Sequence, residues 1–306
     1  MNVAGSAGLL KNEGKKDATV TRYKGLGVGM KCPNPDCGHA VRPHEWHCVV
    51  CLTDCGFPNV RAARVEEEVA ALADRVAEAE RQAAGQGAVS ELVRLRDVAR
   101  QSRAVRVRSV DEVFALVKSD NKLLGTFYDL KGAGLLRPEA TEIEAARQSA
   151  EPLALLNYHE QIQFAALTAD DRGLFSYGNC AMVLDESKIA HRATVFEENC
   201  VLFCQHRGVS PANPVVPPGF RATWEKRDDL VIAKLGSRLA ADMTDEDVAG
   251  LLLSTDEDSV KDDFVEVHIY GRIHRHTLSC VTVKLRQPGD RALAEAMRPY
   301  VSVEIA

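Results

Sequence analysis

The chain of 306 residues is 45% hydrophobic and 27% charged, an ordinary soluble composition with room for about two domains. Its net charge of -6 argues against a protein that coats nucleic acid over its whole surface, while leaving room for a local basic site. No apolar run approaches the ~20 residues needed to span a bilayer. No secretory leader is read at the N-terminus either, so nine cysteines imply a reducing cytosol and a cytoplasmic protein.

Residues 1–29 are rich in Gly, Lys, Asn and Ala without hydrophobic period and read as a disordered tail. Gly25-Leu-Gly-Val-Gly29 has glycine spacing but no strand-to-helix context for a phosphate loop. Residues 30–60 then hold Cys32, Cys37, Cys48, Cys51 and Cys55 with His39, His44 and His47. Two close cysteine pairs on Pro- and Gly-rich turns aim four thiolates at one tetrahedral centre, the pattern of a structural zinc ribbon. The expected ligands are Cys32, Cys37, Cys48 and Cys51, with Cys55 or His47 as a substitute for Cys51. Such a site locates a domain without stating an activity.

Residues 61–108 read as a helical hairpin or short coiled coil. Val65, Val69, Leu72, Val76, Ala79 and Ala83 form an a/d seam that either mediates a homodimer or lies against its own domain. Gly85-Gln-Gly87 ends it, and Ser90 is expected to cap a second helix to about Arg100. Arg94, Arg96, Arg100, Arg103, Arg106 and Arg108 stand against a single acid, Asp97. This band is either a solvated helix face leading into a linker or a surface that tracks phosphates.

From Ser109 to the end the pattern is mixed α/β. Ser109-Val-Asp-Glu112 is a capping box, a helix is expected to end near Gly132-Ala-Gly134, and another follows Pro138 over 140–150. Strands are expected at Cys180–Leu184, Leu230–Lys234, Val265–Ile269 and Cys280–Leu285, and a last strand at Val301–Ile305. Thr244–Asp247 opens a short helix and Ala292–Met297 forms another. Gly208–Gly219, with four prolines, reads as an ordered loop or a flap over a cleft. Cys200-Val-Leu-Phe-Cys204 with His206 could bind a second metal, but the apolar filling favours two buried strand cysteines. The overall fold class is α+β.

Period-two alternation places Glu266, His268 and Tyr270 on one face of a strand and Val265, Val267 and Ile269 on the other. The plain alternative is an edge strand with a solvent-facing polar side. The elements Tyr177-Gly178…Leu184, Arg192-Ala-Thr194…Asn199, and Val265-Glu-Val-His-Ile-Tyr-Gly271 together resemble the catalytic half of bacterial ADP-ribosyltransferase toxins. Leu123-Leu-Gly-Thr-Phe-Tyr128…Leu136 resembles that family's early strand and helix. The resemblance covers roughly residues 110–290 and implies an ADP-ribosyltransferase-like domain over 109–306. It implies that Glu266 is the catalytic glutamate, Thr194 the Ser/Thr element of the nicotinamide pocket, and Tyr177 a pocket aromatic. Tyr128 and His159 are candidates for the family's early Arg or His position. The family's second glutamate is here His268, which would take a proton from the attacking nucleophile.

The implied activity is transfer of ADP-ribose from NAD to nucleic acid or protein, as a toxin or defence effector, with zinc as structural cofactor. An antitoxin partner, or a homodimer through the 65–83 helix, would be the protein contact. Two other readings stay open: a non-enzymatic zinc-ribbon adaptor for nucleic acid or protein, and a metal-dependent nuclease using His268, His274 and His276.

Overall fold

The computed structural model describes residues 30–134, 141–255 and 262–306. The expected tail over 1–29, the Gly25–Gly29 run, and Leu135, Leu136 and Pro138 lie outside them. The N-terminal module contains the two-residue strands β1 (Met30–Lys31) and β2 (Ala40–Val41), paired antiparallel around the cysteine knuckle. Helix α1 (Pro58–Ala63) follows, with proline at its start where the missing N–H is no loss. Arg61 on α1 donates to the carbonyls of Pro43 and Glu45 at 2.9 and 2.6 Å, tying the module to the helix that follows it.

Helices α2 (Glu66–Gly85) and α3 (Val89–Gln101) form the hairpin, and Gly85-Gln-Gly87 breaks it as the sequence predicts. Ser90 is not the cap: α3 begins at Val89 after Ala88, and Ser90 bonds Glu91 instead. Leu72, Ala79 and Ala83 are buried, with Leu72 and Ala79 in the main core, so most of the expected dimer seam is filled by the chain itself. Val65 and Val69, at its start, stay exposed.

Strand β3 (Arg103–Arg108) follows without a linker and enters the middle of a large sheet, flanked by β5 and β6. The expected boundary after Arg108 therefore falls at the end of a central strand. A basic stretch hid this strand, because its Ala-Val-x-Val alternation is interleaved with arginines. The chain continues through α4 (Val110–Val117), β4 (Leu123–Leu124), α5 (Phe127–Gly132) and α6 (Thr141–Ala154). Ser109 and Thr126 close reciprocal capping boxes with Glu112 and Asp129. Next come β5 (Ile162–Thr168), β6 (Cys180–Leu184), α7 (Glu186–Ile189), β7 (Ala193–Phe196), α8 (Cys200–Arg207) and β8 (Arg221–Thr223). The last part holds α9 (Arg227–Leu235), α10 (Asp245–Gly250), β9 (Leu253–Ser254), β10 (Asp263–Phe264), β11 (Glu266–Tyr270), β12 (Ile273–His274), β13 (Leu278–Val283), α11 (Asp290–Met297) and β14 (Ser302–Ile305).

The main sheet has eight strands in the order β14-β13-β6-β3-β5-β11-β7-β8. β13 and β14 run parallel, and the other neighbours run antiparallel. One face carries Ala104, Ala165, Met182, Val195 and Val267 into the principal core, where α2, α3 and α9 pack. The opposite face carries Ile162, Phe164, Phe196, Glu266 and His268 beneath α1, α6 and α8. Leu230–Lys234, expected as a strand, is instead the middle of α9. That helix is apolar nearly all round because it lies between the hairpin and the sheet, and such runs do not separate helix from strand by period. Cys200 and Cys204 sit one turn apart on α8, not on a strand. The 208–219 loop is held against α2: the Gly219 N–H donates to Glu68 at 2.7 Å, and Arg75 donates to the Gly219 carbonyl at 2.6 Å. Among the described residues no helix is long and apolar enough to cross a membrane.

Candidate functional site

The four sulfurs of Cys32, Cys37, Cys48 and Cys51 lie within 4.8 Å of one another. Cys32 and Cys51 are 3.5 Å apart and Cys37 and Cys48 3.6 Å, close to the ~3.8 Å between sulfurs bound tetrahedrally to zinc. The set can hold one metal ion and is compatible with zinc. Burial pushes the Cys32 thiol up to about 12, whereas hydrogen bonds from Thr53 bring Cys51 down to about 6. Cys55 is turned away to the Thr53 carbonyl at 3.4 Å, and His47 packs edge-on against Trp46. Neither replaces Cys51.

The second cluster lies on the α8-covered face of the sheet. β11 pairs with β5 and β7 on its two sides, so Glu266 and His268 are buried at 4% and 2% exposure, which rules out the edge-strand reading. Their side chains share one face as the alternation predicts, with His268 Nε2 2.8 Å from Glu266 Oε2. The side chains at the start of α8 approach this pair. Asn199 caps the helix by accepting from the Val201 N–H at 2.9 Å, and its amide lies 3.5 Å from Glu266 Oε1. The Cys200 sulfur lies 3.5 Å from Glu266 Oε2 and 3.8 Å from His268 Nε2. Burial, and then the charges of Glu266 and Glu151, push this thiol far above its ordinary value, so it is a neutral donor and a poor nucleophile. Phe196 stacks on the His268 ring and Phe164 meets it edge-on, each at 5.3 Å.

Arg147 on α6 lies within electrostatic reach of Glu266. Burial works against its charge, but Glu151 and then Glu266 and Tyr128 overcome that and hold the guanidinium above its ordinary value. Arg147 also lies over Phe127 at 4.5 Å and Phe164 at 5.1 Å. Tyr177 is half-exposed, and its phenol is pushed up by burial and by the charge of Glu266, which places it within electrostatic reach of the carboxylate. The turn that carries it is pressed onto β3: a Cβ on Gly178 would sit 2.3 Å from the Arg108 carbonyl oxygen, so only glycine fits.

The other expected site residues are placed differently. Thr194 faces the same side of the sheet as His268, its direct partner across β7 and β11. It is buried, however, and Asn59 from α1 donates to its hydroxyl at 3.3 Å and to the His268 carbonyl at 3.1 Å. Thr194 thus fastens α1 to the sheet. Tyr128 donates to Glu151 at 2.8 Å and lines a surface cleft with Asp129, His159 and Gln161, apart from His268. The late histidines do not converge. The rings of His274 and His276 lie 4.9 Å apart and tilted by 39°, and His274 meets the Asp120 carbonyl while His268 is buried in the sheet.

The basic band is largely paired within the chain. Arg96 reaches Glu80, Asp228 and Asp229, Arg100 reaches Asp228, and Arg94 reaches Glu91 and Asp245. Arg103 pairs with Asp171. Arg106 is different: it is buried, bonds Gln163, leaves its Nε without a partner, and pairs with no carboxylate among the described residues. Burial first, then Arg108 and Arg147, lower its pKa well below the ordinary value. Cys200 and Arg147 are the residues that sequence patterning missed as parts of this neighbourhood, whereas Arg106 stands with Ala104 and Met182 on the principal-core face. A cysteine directly after an N-capping Asn was the available signal for the first. Compared with known protein families and with curated protein sequences, the chain matches none.

Proposed function

We propose that the Glu266 neighbourhood cleaves NAD and transfers ADP-ribose to a macromolecular acceptor, nucleic acid or protein, as a toxin or defence effector would. The observation that carries this reading is a carboxylate buried on an inner strand, bonded to an imidazole and paired with no lysine or arginine among the described residues. Burying such a group costs stability, and a passive binding platform has no need of it. Breaking the bond between nicotinamide and ribose develops positive charge on the sugar, and a fixed carboxylate stabilises that charge without a metal. In this role Glu266 also accepts a hydrogen bond from the ribose 2′-hydroxyl. Tyr177 would stack on the nicotinamide ring, while Arg108 and Arg147 would give the surroundings the sign that a dinucleotide's phosphates require. His268 would take the proton of the acceptor nucleophile. The cysteine ribbon would hold a structural zinc, and α1 would connect it to the sheet beside His268. Nicotinamide release from NAD by the full chain, lost in Glu266→Gln, tests the proposal; wild-type protein that releases none under any acceptor condition would leave the adaptor reading as the better account.

A further inference from the structure

Cys200, Glu266 and His268 present a sulfur, a carboxylate oxygen and an imidazole nitrogen within 4.8 Å of one another, all buried. We propose that this trio is a second metal site, selective for zinc and exchangeable, and that an ion held there takes Glu266 out of its chemistry. The inhibitory half rests on the reading of Glu266 as the catalytic carboxylate, whereas the metal-binding half stands on geometry alone.

Tetrahedral zinc with one sulfur, one nitrogen and one oxygen ligand sets the S–N and S–O distances at about 3.5 Å and the N–O distance at about 3.3 Å. The corresponding separations here are 3.8, 3.5 and 2.8 Å. Only the His268–Glu266 contact has to open, by about half an ångström, as its hydrogen bond gives way to two metal bonds. The balance is simple. The ring proton of His268 moves to Nδ1, freeing the Nε2 lone pair; the Cys200 thiol releases its proton to solvent; and Glu266 binds through Oε2. One proton therefore leaves per ion bound, and the charge of the metal offsets the burial that otherwise keeps the thiol protonated. Phe196 and Phe164 already hold the imidazole plane from two sides. A thiolate–imidazole–carboxylate set favours zinc over the hard cations magnesium and calcium. With one thiolate against four in the ribbon, this site is the weaker of the two and loses its ion first.

The test uses the full chain with cobalt(II) as a spectroscopic probe and zinc as competitor. Wild-type protein should take up two equivalents. The first should show the intense sulfur-to-metal absorption of a four-thiolate site, and the second a weaker band from one thiolate. Cys200→Ala should take up one equivalent, while Cys204→Ala, a control one turn away, should keep two. One equivalent in the wild type, or two in a folded Cys200→Ala, overturns the site. In the activity arm, micromolar zinc should suppress nicotinamide release by wild type at least tenfold, reversibly on mild chelation, and whatever turnover Cys200→Ala retains should be indifferent to zinc. Zinc that leaves wild-type turnover unchanged, or raises it, overturns the inhibitory role. Two equivalents of cobalt in a protein that never cleaves NAD would sink the proposed activity and leave the metal site standing.

Discussion

The same nitrogen of His268 faces both of its neighbours: Nε2 lies 2.8 Å from Glu266 Oε2 and 3.8 Å from the Cys200 sulfur. A thiol–imidazole–carboxylate relay needs two different ring nitrogens, one for the nucleophile and one for the acid that orients the ring. The trio therefore does not form a cysteine-hydrolase triad, and Cys200→Ala should not abolish chemistry in the way loss of a nucleophile does.

Glu266 is the residue whose loss should stop turnover. Glu266→Gln keeps the volume and an acceptor for His268 but removes the charge, so NAD cleavage should fall by about 10²–10³ while the melting temperature hardly moves. His268→Ala should spare NAD hydrolysis and impair transfer to the acceptor, because its proposed task is deprotonation of the incoming group. Nicotinamide release and acceptor labelling, measured side by side, separate the two roles. Equal loss of both activities in His268→Ala would reduce it to a residue that shapes the pocket.

The hairpin belongs to the main core, so a chain beginning at Ser109 should not fold. It would lose β3 from the middle of the sheet and uncover the face of α9 that α2 and α3 bury. One ion pair tests the same point without truncation. Glu68 on α2 lies 3.0 Å from Arg221 on β8, both almost fully buried. Glu68→Ala leaves that guanidinium unpaired and should cost about 3 kcal/mol, read by chemical denaturation. Replacing both residues with methionine should recover much of the loss, since the second buried charge is then gone. A soluble, cooperatively melting 109–306 fragment would show that the hairpin is an appendage after all.

What could be read from the chain alone followed how local the signal was. The cysteine ribbon and the Ser109–Glu112 and Thr244–Asp247 capping boxes depend on residues a few positions apart, and the structure forms them as read. The β11 alternation also survives, down to the contact between Glu266 and His268. Failures came where partners lie far off in sequence. Arg94, Arg96 and Arg100 looked like a free basic face because Asp228, Asp229 and Asp245, which pair with them, stand about 130–150 residues later. α9 looked like a strand because its burial on several sides erased the helical period. Cys200 could not be linked to Glu266 before α8 was placed over the sheet.

The cysteine ribbon should depend on its metal for structure. Its buried apolar content is little more than Val41 and the cysteines themselves, too few to fold a module unaided. Cys32→Ser with Cys48→Ser should abolish the tightly held zinc and expose residues of about 30 to 57 to proteolysis. The sheet should survive this, because α1 is anchored separately by Asn59 on Thr194 and on the Arg192 and His268 carbonyls. Metal analysis and limited proteolysis report the two effects independently. Full zinc retention in the double variant would remove the four-cysteine assignment.

Stability should fall as the solution is acidified from pH 7 through about pH 6, and His159 should account for part of the loss. Burial holds its imidazole below the ordinary histidine value of about 6.5, its Nδ1 has no hydrogen-bond partner among the described residues, and the ring stands edge-on to Tyr128 at 4.7 Å. The unfolded chain therefore takes up a proton at a pH where the folded one does not. The neutral ring contributes its stability fully above the unfolded value, and that contribution is lost as the pH drops through it towards the lower folded value. His159→Gln has no proton to take up in either state, so denaturation midpoints measured at pH 7.5 and pH 5.5 should lie closer together in the variant than in the wild type. Identical pH slopes in the two proteins would mean that His159 titrates in the fold as it does in the unfolded chain, and that the acid sensitivity arises elsewhere.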